Sequence, residues 1–113
     1  MKNKEKFNIS LKSIIKIELS LQKLSTTFKI IADPTRIKII ALLSEKELAV
    51  NDISKLLSLS QSLISHQLQI LKSANLVRYK RKGKKIFYRL DDIHIKNLLC
   101  EGLEHINEKK EEK

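Results

Sequence analysis

The sequence predicts a mainly α-helical chain with one β-hairpin wing, a winged helix-turn-helix that pairs as a homodimer. Apolar residues recur at helical spacing over most of the chain, two short helical segments meet at the tight stretch from Leu57 to Ser60, and a basic hairpin pattern follows, turning at Gly83. Composition agrees, with 42% hydrophobic and 4% aromatic residues, two Gly and one Pro, as in an ordered helical chain rich in Ile and Leu. The 113 residues make one domain, 1–113, with a modest core, and a second copy would help it bury apolar surface.

Residues 1–9 are rich in Lys and Asn and are expected to fray, while Glu108 to Lys113 reads as a charged tail. Between them Ile17, Leu21, Leu24, Phe28 and Ile31 keep one helical face, which predicts a helix from about Leu11 to Ala32, with room for an interruption. Asp33 is a good N-cap and Pro34 suits the first helical position, so a second helix runs to Leu43 through Ile37 and Ile40. After a turn from Ser44 to Glu47, Asn51 is expected to cap a short helix reaching Leu57.

Ser60 caps the next helix, Gln61 to Ser73. There Leu63, Ile64, Leu68 and Leu71 form the apolar stripe and Gln61, Ser62, Ser65, His66 and Gln69 the opposite face. A solvated helix usually carries Glu and Lys on its outer face. Gln, Ser and His are side chains that donate to and accept from base edges in a major groove, which is where the second member of a helix-turn-helix lies. Val77 to Lys82 and Lys85 to Leu90 then pair about Gly83. From Arg78 to Arg89 there are seven basic residues and no acidic one, a density beyond what protection of a sheet edge needs. Arg81, Lys82, Lys84 and Lys85 are therefore expected to lie along phosphates.

The balance of 23 Lys and Arg against 13 Asp and Glu, a net charge of +10, suits a polyanionic partner. Double-stranded DNA is preferred to a membrane surface because of the helix-turn-helix. A single Cys100, read as a packing residue, excludes an internal disulfide framework and suits a reducing cytoplasm. No stretch approaches a transmembrane span, no signal peptide is legible, and no phosphate loop or nucleophile and base arrangement suggests an enzyme.

The last helix, Asp92 to about Asn107, offers Ile95, Leu98, Leu99, Gly102, Leu103 and Ile106 as a broad apolar face for dimerisation, with Gly102 permitting close approach of a partner backbone. Two of the three histidines lie on it, each with a carboxylate close by: Asp92 and His94 at its start, His105 and Glu108 at its end. His94 and His105 are close to three full turns apart, so they share a face but stand about 16 Å apart along the axis. One metal ion, with bonds of about 2 Å, cannot reach both. An antiparallel pair of these helices brings Asp92 and His94 of one copy to His105 and Glu108 of the other, giving two equivalent sites per dimer. Asp92 would sit at or just before the N-cap. Acidic residues near a helix start and a His near its end also satisfy the helix dipole, the competing structural explanation.

From about Phe28 to Glu108 the sequence resembles the ArsR/SmtB family of metal-responsive winged-helix repressors, through FKIIADPTRIKIIALLS, ELAVND, LSQSLISHQLQILKSANLV, RKGKKIFYRLDDIHI and HINE. The resemblance implies a homodimeric repressor of metal-resistance or efflux genes that leaves a palindromic operator when metal binds. Thiol-based sensors of the family carry Cys within the segment that reads ELAVND here; this chain has Ala49 and Asn51 at those positions. The C-terminal positions are kept as Asp92, His94, His105 and Glu108, implying Zn(II) as regulatory ligand with Co(II) as an easy substitute. It also implies a relay from the ligand histidines' second ring nitrogens to backbone around Asn75. The alternative expectation is a repressor of the same fold that senses another signal, or no metal.

Overall fold

The computed structural model describes residues 10–111, so the expectation for residues 1–9 and the last two positions of the tail lie outside the described residues. Its elements run α1 (Leu11–Lys16), α2 (Glu18–Ile31), α3 (Pro34–Leu43), β1 (Leu48–Ala49), α4 (Val50–Leu57), α5 (Gln61–Ser73), β2 (Val77–Lys82), β3 (Lys85–Leu90) and α6 (Ile93–Glu111). The first predicted helix is interrupted at Ile17, whose backbone leaves the helical region at φ −108° and ψ 22°. Helix α6 continues to Glu111, past the expected end near Asn107, so Glu108 is helical.

Caps explain most boundaries. Asp33 Oδ2 accepts from the Arg36 N–H at 3.0 Å and Ser60 Oγ from the Leu63 N–H at 3.1 Å, closing the first turns of α3 and α5 as expected. The start of α4 differs from the expectation. Ala49, not Asn51, is the N-cap, and Asp52 three residues on reaches back to accept the Ala49 N–H at 3.1 Å. The turn between α4 and α5 has Ser58 in the left-handed region at φ 56°, with Leu59 N–H bonded to Ser54 O at 3.1 Å. The Ser54 hydroxyl donates to the Leu59 carbonyl across the same turn. Asn75, at φ 61°, ends α5 in the same way, with Leu76 N–H on Leu71 O at 2.9 Å. Asn tolerates this conformation better than most residues.

Ile39, Ile40 and Leu43 of α3, Ile53 of α4, Ile64, Leu68 and Leu71 of α5, and Leu48, Leu76 and Val77 beside the sheet form one core. Leu63, read as part of the buried stripe, is 37% exposed because it lies at the edge of that stripe. Strand β1 extends the hairpin to a three-stranded antiparallel sheet in the order β1-β3-β2, with Leu48 opposite Tyr88 and Ala49 opposite Phe87. A two-residue strand carries no periodicity, so it is invisible in the sequence. At the hairpin tip Gly83 has φ 65° between the paired Lys82 and Lys85, the left-handed conformation that a two-residue turn demands of its first position.

Helices α1 and α2 bury no residue, and on α6 Ile95 and Leu99 pack against the core only in part. Leu21, Leu24 and Phe28 of α2 and Leu98, Leu103 and Ile106 of α6 are exposed. An apolar groove of about 270 Å³ runs between α2, α3 and α6, lined by Phe28, Ile37, Leu98, Gly102, Leu103 and Ile106 among others. Among the described residues no helix is long and apolar enough to cross a membrane.

Candidate nucleic-acid interface and metal-ligand positions

Helix α5 carries Gln61, Ser62, Ser65, His66 and Gln69 outward, all exposed, while Ile64, Leu68 and Leu71 on the opposite side are fully buried. The apolar face thus anchors the helix to α3 and α4, and the five polar side chains project together. Two contacts not legible in the sequence hold this helix. Gln61 Nε2 donates to Asn51 Oδ1 at 3.0 Å, orienting the first polar residue from α4. Arg36 Nε donates to Gln67 Oε1 at 2.7 Å from the other side. Neither follows from helical periodicity, because both partners lie on other elements.

The wing presents Arg81, Lys82, Lys84 and Lys85 in exposed positions, on different faces. Alternation along a strand puts Arg81 on one face and Lys82 on the other, where Lys82 lies opposite Lys85, while Lys84 sits in the turn. Lys82 is already engaged. Its Nζ lies 3.0 Å from Glu47 Oε1 and 5.2 Å from the Phe87 ring centre. The bond from Lys82, with weaker help from Lys80 and Arg89, holds the Glu47 carboxyl below the ordinary glutamate range. On the other side Lys72 Nζ stands 4.6 Å over Tyr79, whose ring is 5.8 Å from that of Tyr88. Burial pushes the Tyr88 phenol up, with Tyr79 adding to it. Arg78 pairs with Asp91 at 3.3 Å, tying β2 to the start of the segment that leads into α6.

Asp92 caps α6 as expected, accepting the His94 N–H at 2.9 Å, and the same Oδ1 is 3.4 Å from His94 Nδ1. His105 and Glu108 are exposed near the other end of the helix. Within one chain the four side chains do not converge, and among the described residues no three His, Cys, Asp or Glu side chains form a metal-holding group. Cys100, expected to pack, is exposed on α6, because the face it occupies meets no other part of the chain.

The model for "Bacterial regulatory protein, arsR family" matches residues 33–79, from the cap of α3 into β2. The chain is 39% identical over 87 residues to the Transcriptional repressor SmtB homolog of Synechocystis sp., covering 77% of this chain and 66% of that protein. It is also 39% identical over 82 residues to the Cadmium resistance transcriptional regulatory protein CadC homolog of Staphylococcus aureus, covering 72% and 68%. The chain thus spans about two-thirds of the length of these relatives. Among solved structures, the homodimeric winged helix-turn-helix DNA-binding domain Mb0332 of Mycobacterium bovis superposes with a TM-score of 0.79 at 27% identity, covering 85% of this chain and 89% of that one. Taken with the exposed polar face of α5 and the basic wing beside it, these likenesses establish that the chain belongs to the bacterial ArsR family of regulatory proteins.

Proposed function

We propose that this chain is a transcriptional repressor that grips a palindromic operator as a homodimer and releases it when Zn(II) binds between the two α6 helices. Family and fold make it a DNA-binding regulator and not an enzyme. One observation carries the metal reading: Asp92 and His94 stand exposed at one end of α6 and His105 and Glu108 at the other, on a helix whose apolar face is uncovered. Antiparallel pairing of that face with its copy would join opposite ends at both sites at once. The homodimeric Mycobacterium bovis domain and the uncovered α2 and α6 surfaces support the pairing. The cadmium-resistance name of the Staphylococcus aureus relative supports a metal as the signal.

Two imidazoles and two carboxylates suit tetrahedral zinc, with cobalt as a substitute, while nickel would want more ligands. Four protein ligands would leave no open coordination position, as befits a regulatory and not a catalytic ion. Zinc adds positive charge to a cationic dimer, which by itself would tighten DNA binding. Release must therefore come from a dimer conformation or a loss of flexibility that no longer fits both half-sites. The relay from the ligand histidines to backbone near Asn75, at the end of α5, is the route we assign to it.

Zinc titration into the dimer on a labelled operator, selected from random duplexes at fixed salt, tests the proposal. Anisotropy should fall as about one zinc per monomer binds, as two sites in a symmetric dimer require. His105→Ala should bind the operator as before and ignore zinc. Operator binding by the wild type that zinc leaves unmoved would remove the sensor and leave the regulator; loss of dimerisation in His105→Ala would make the residue structural.

A further inference from the structure

Arg36 lies away from the exposed face of α5, yet its guanidinium joins that helix to α2. Nε donates to Gln67 Oε1 at 2.7 Å, and Nη1 donates to the Ile30 carbonyl, in the last turn of α2, at 3.0 Å. Its own backbone N–H is held by the Asp33 cap, so the side chain springs from a fixed first turn. Among the described residues no carboxylate pairs with this partly buried cation. Its charge is directed at two neutral oxygens, one on each helix, and both bonds are charge-assisted.

Beyond this bridge the two helices part over the stretch from Lys23 to Ile30 of α2. An open groove of about 680 Å³ lies between them, with Thr26 and Thr27 of α2 on one wall and His66, Gln69 and Ser73 of α5 on the other. Ile30 and Ile31 pack on the core at the end of α2, but from Lys23 to Thr27 side-chain packing leaves the separation loosely specified. Helix α2 carries the exposed apolar residues Leu21, Leu24 and Phe28, and Gln67 directly follows His66 on α5. A planar cation with two directed bonds thus links the helix offered to a second copy with the helix offered to DNA.

We infer that Arg36 and Gln67 are positioning residues that set the distance between the two α5 helices of the dimer, and thereby the half-site spacing it accepts. The inference rests on the reading of the protein as a dimeric operator-binding regulator. Lys at position 36 keeps the charge but loses the rigid fork that satisfies two acceptors in different directions.

The test uses the full chain as wild type, Arg36→Lys, Gln67→Leu and Gln67→Glu. The probes are the operator selected by the wild type, the same half-sites moved apart by one and two base pairs, and a duplex with one half-site. Melting by circular dichroism establishes which variants are folded at the assay temperature. Arg36→Lys and Gln67→Leu should bind the single half-site within about twofold of wild type while their preference for the native spacing falls by about tenfold, the size expected for losing a bond to a charged group. Gln67→Glu, which keeps an acceptor and adds charge, should retain the preference. A merely structural loss would lower affinity for every duplex alike and leave the preference unmoved. If Arg36→Lys does not fold, Gln67→Leu decides. A spacing-selective wild type with equally selective folded variants overturns this inference alone; a wild type indifferent to spacing overturns it together with the dimeric-operator reading.

Discussion

Lys82 Nζ lies between the Glu47 carboxylate and the Phe87 ring, so a residue that reads as a free wing cation is tethered to the segment before β1. The pair is exposed, and its bond holds the Glu47 carboxyl below its ordinary value. A depressed carboxylate contributes stability that is present above its unfolded pKa and is lost as pH falls through the folded one. Glu47 followed by NMR should therefore titrate at lower pH than an ordinary glutamate, and Lys82→Met should move the midpoint upward. A midpoint unchanged in Lys82→Met would mean that the ion pair is absent in solution. The polar residues of α5 were legible because a neutral face opposite a buried stripe stands out in one helix. Arg36 with Gln67 and Asn51 with Gln61 were not, because each bond joins residues from different elements.

The wing shows how an element redistributes its charges. The basic residues are evident from the sequence, but the pleat sends Arg81 to one face and Lys82 and Lys85 to the other, and only the Cα register shows which residues stand opposite one another. If the wing follows the DNA backbone, each phosphate contact releases counterions and steepens the dependence of affinity on salt. Arg81→Ala and Lys85→Ala should each reduce the slope of log K against log salt by about one, with little change in sequence preference. Lys82→Ala should reduce it less, since Glu47 already neutralises that charge. Slopes equal to wild type in Arg81→Ala and Lys85→Ala would place the wing off the DNA.

At the scale of the whole molecule, α2 and α6 expose large apolar side chains, among them Leu21, Leu24, Phe28, Leu98, Leu103 and Ile106, and they flank one apolar groove. A second copy covering them would account for a core that occupies only α3, α4, α5 and the sheet. Leu103 is 49% exposed beside Gly102 on the α6 face. Burying such a side chain contributes about 1.5–3 kcal/mol, so Leu103→Glu should weaken the dimer by about a hundredfold while the monomer stays folded. Analytical ultracentrifugation reads this directly; an unchanged dimer constant would place the interface elsewhere. The same variant should lose zinc binding, because each proposed site needs both copies.

The sequence by itself determined the helix-turn-helix, the cap residues Asp33 and Ser60, the hairpin turn at Gly83 and the polar face of α5. Each is a matter of periodicity, capping or turn chemistry within a few neighbouring residues. The pairing of β1 with β3, the grip of Arg36 on Gln67 and the engagement of Lys82 were decided by tertiary structure. Each depends on residues far apart in the chain meeting in space, and no local pattern encodes such a meeting. The four candidate ligands of α6 stand between these cases: their spacing is plain in the sequence, but the rise of a helix keeps its ends apart, so one chain alone cannot unite them.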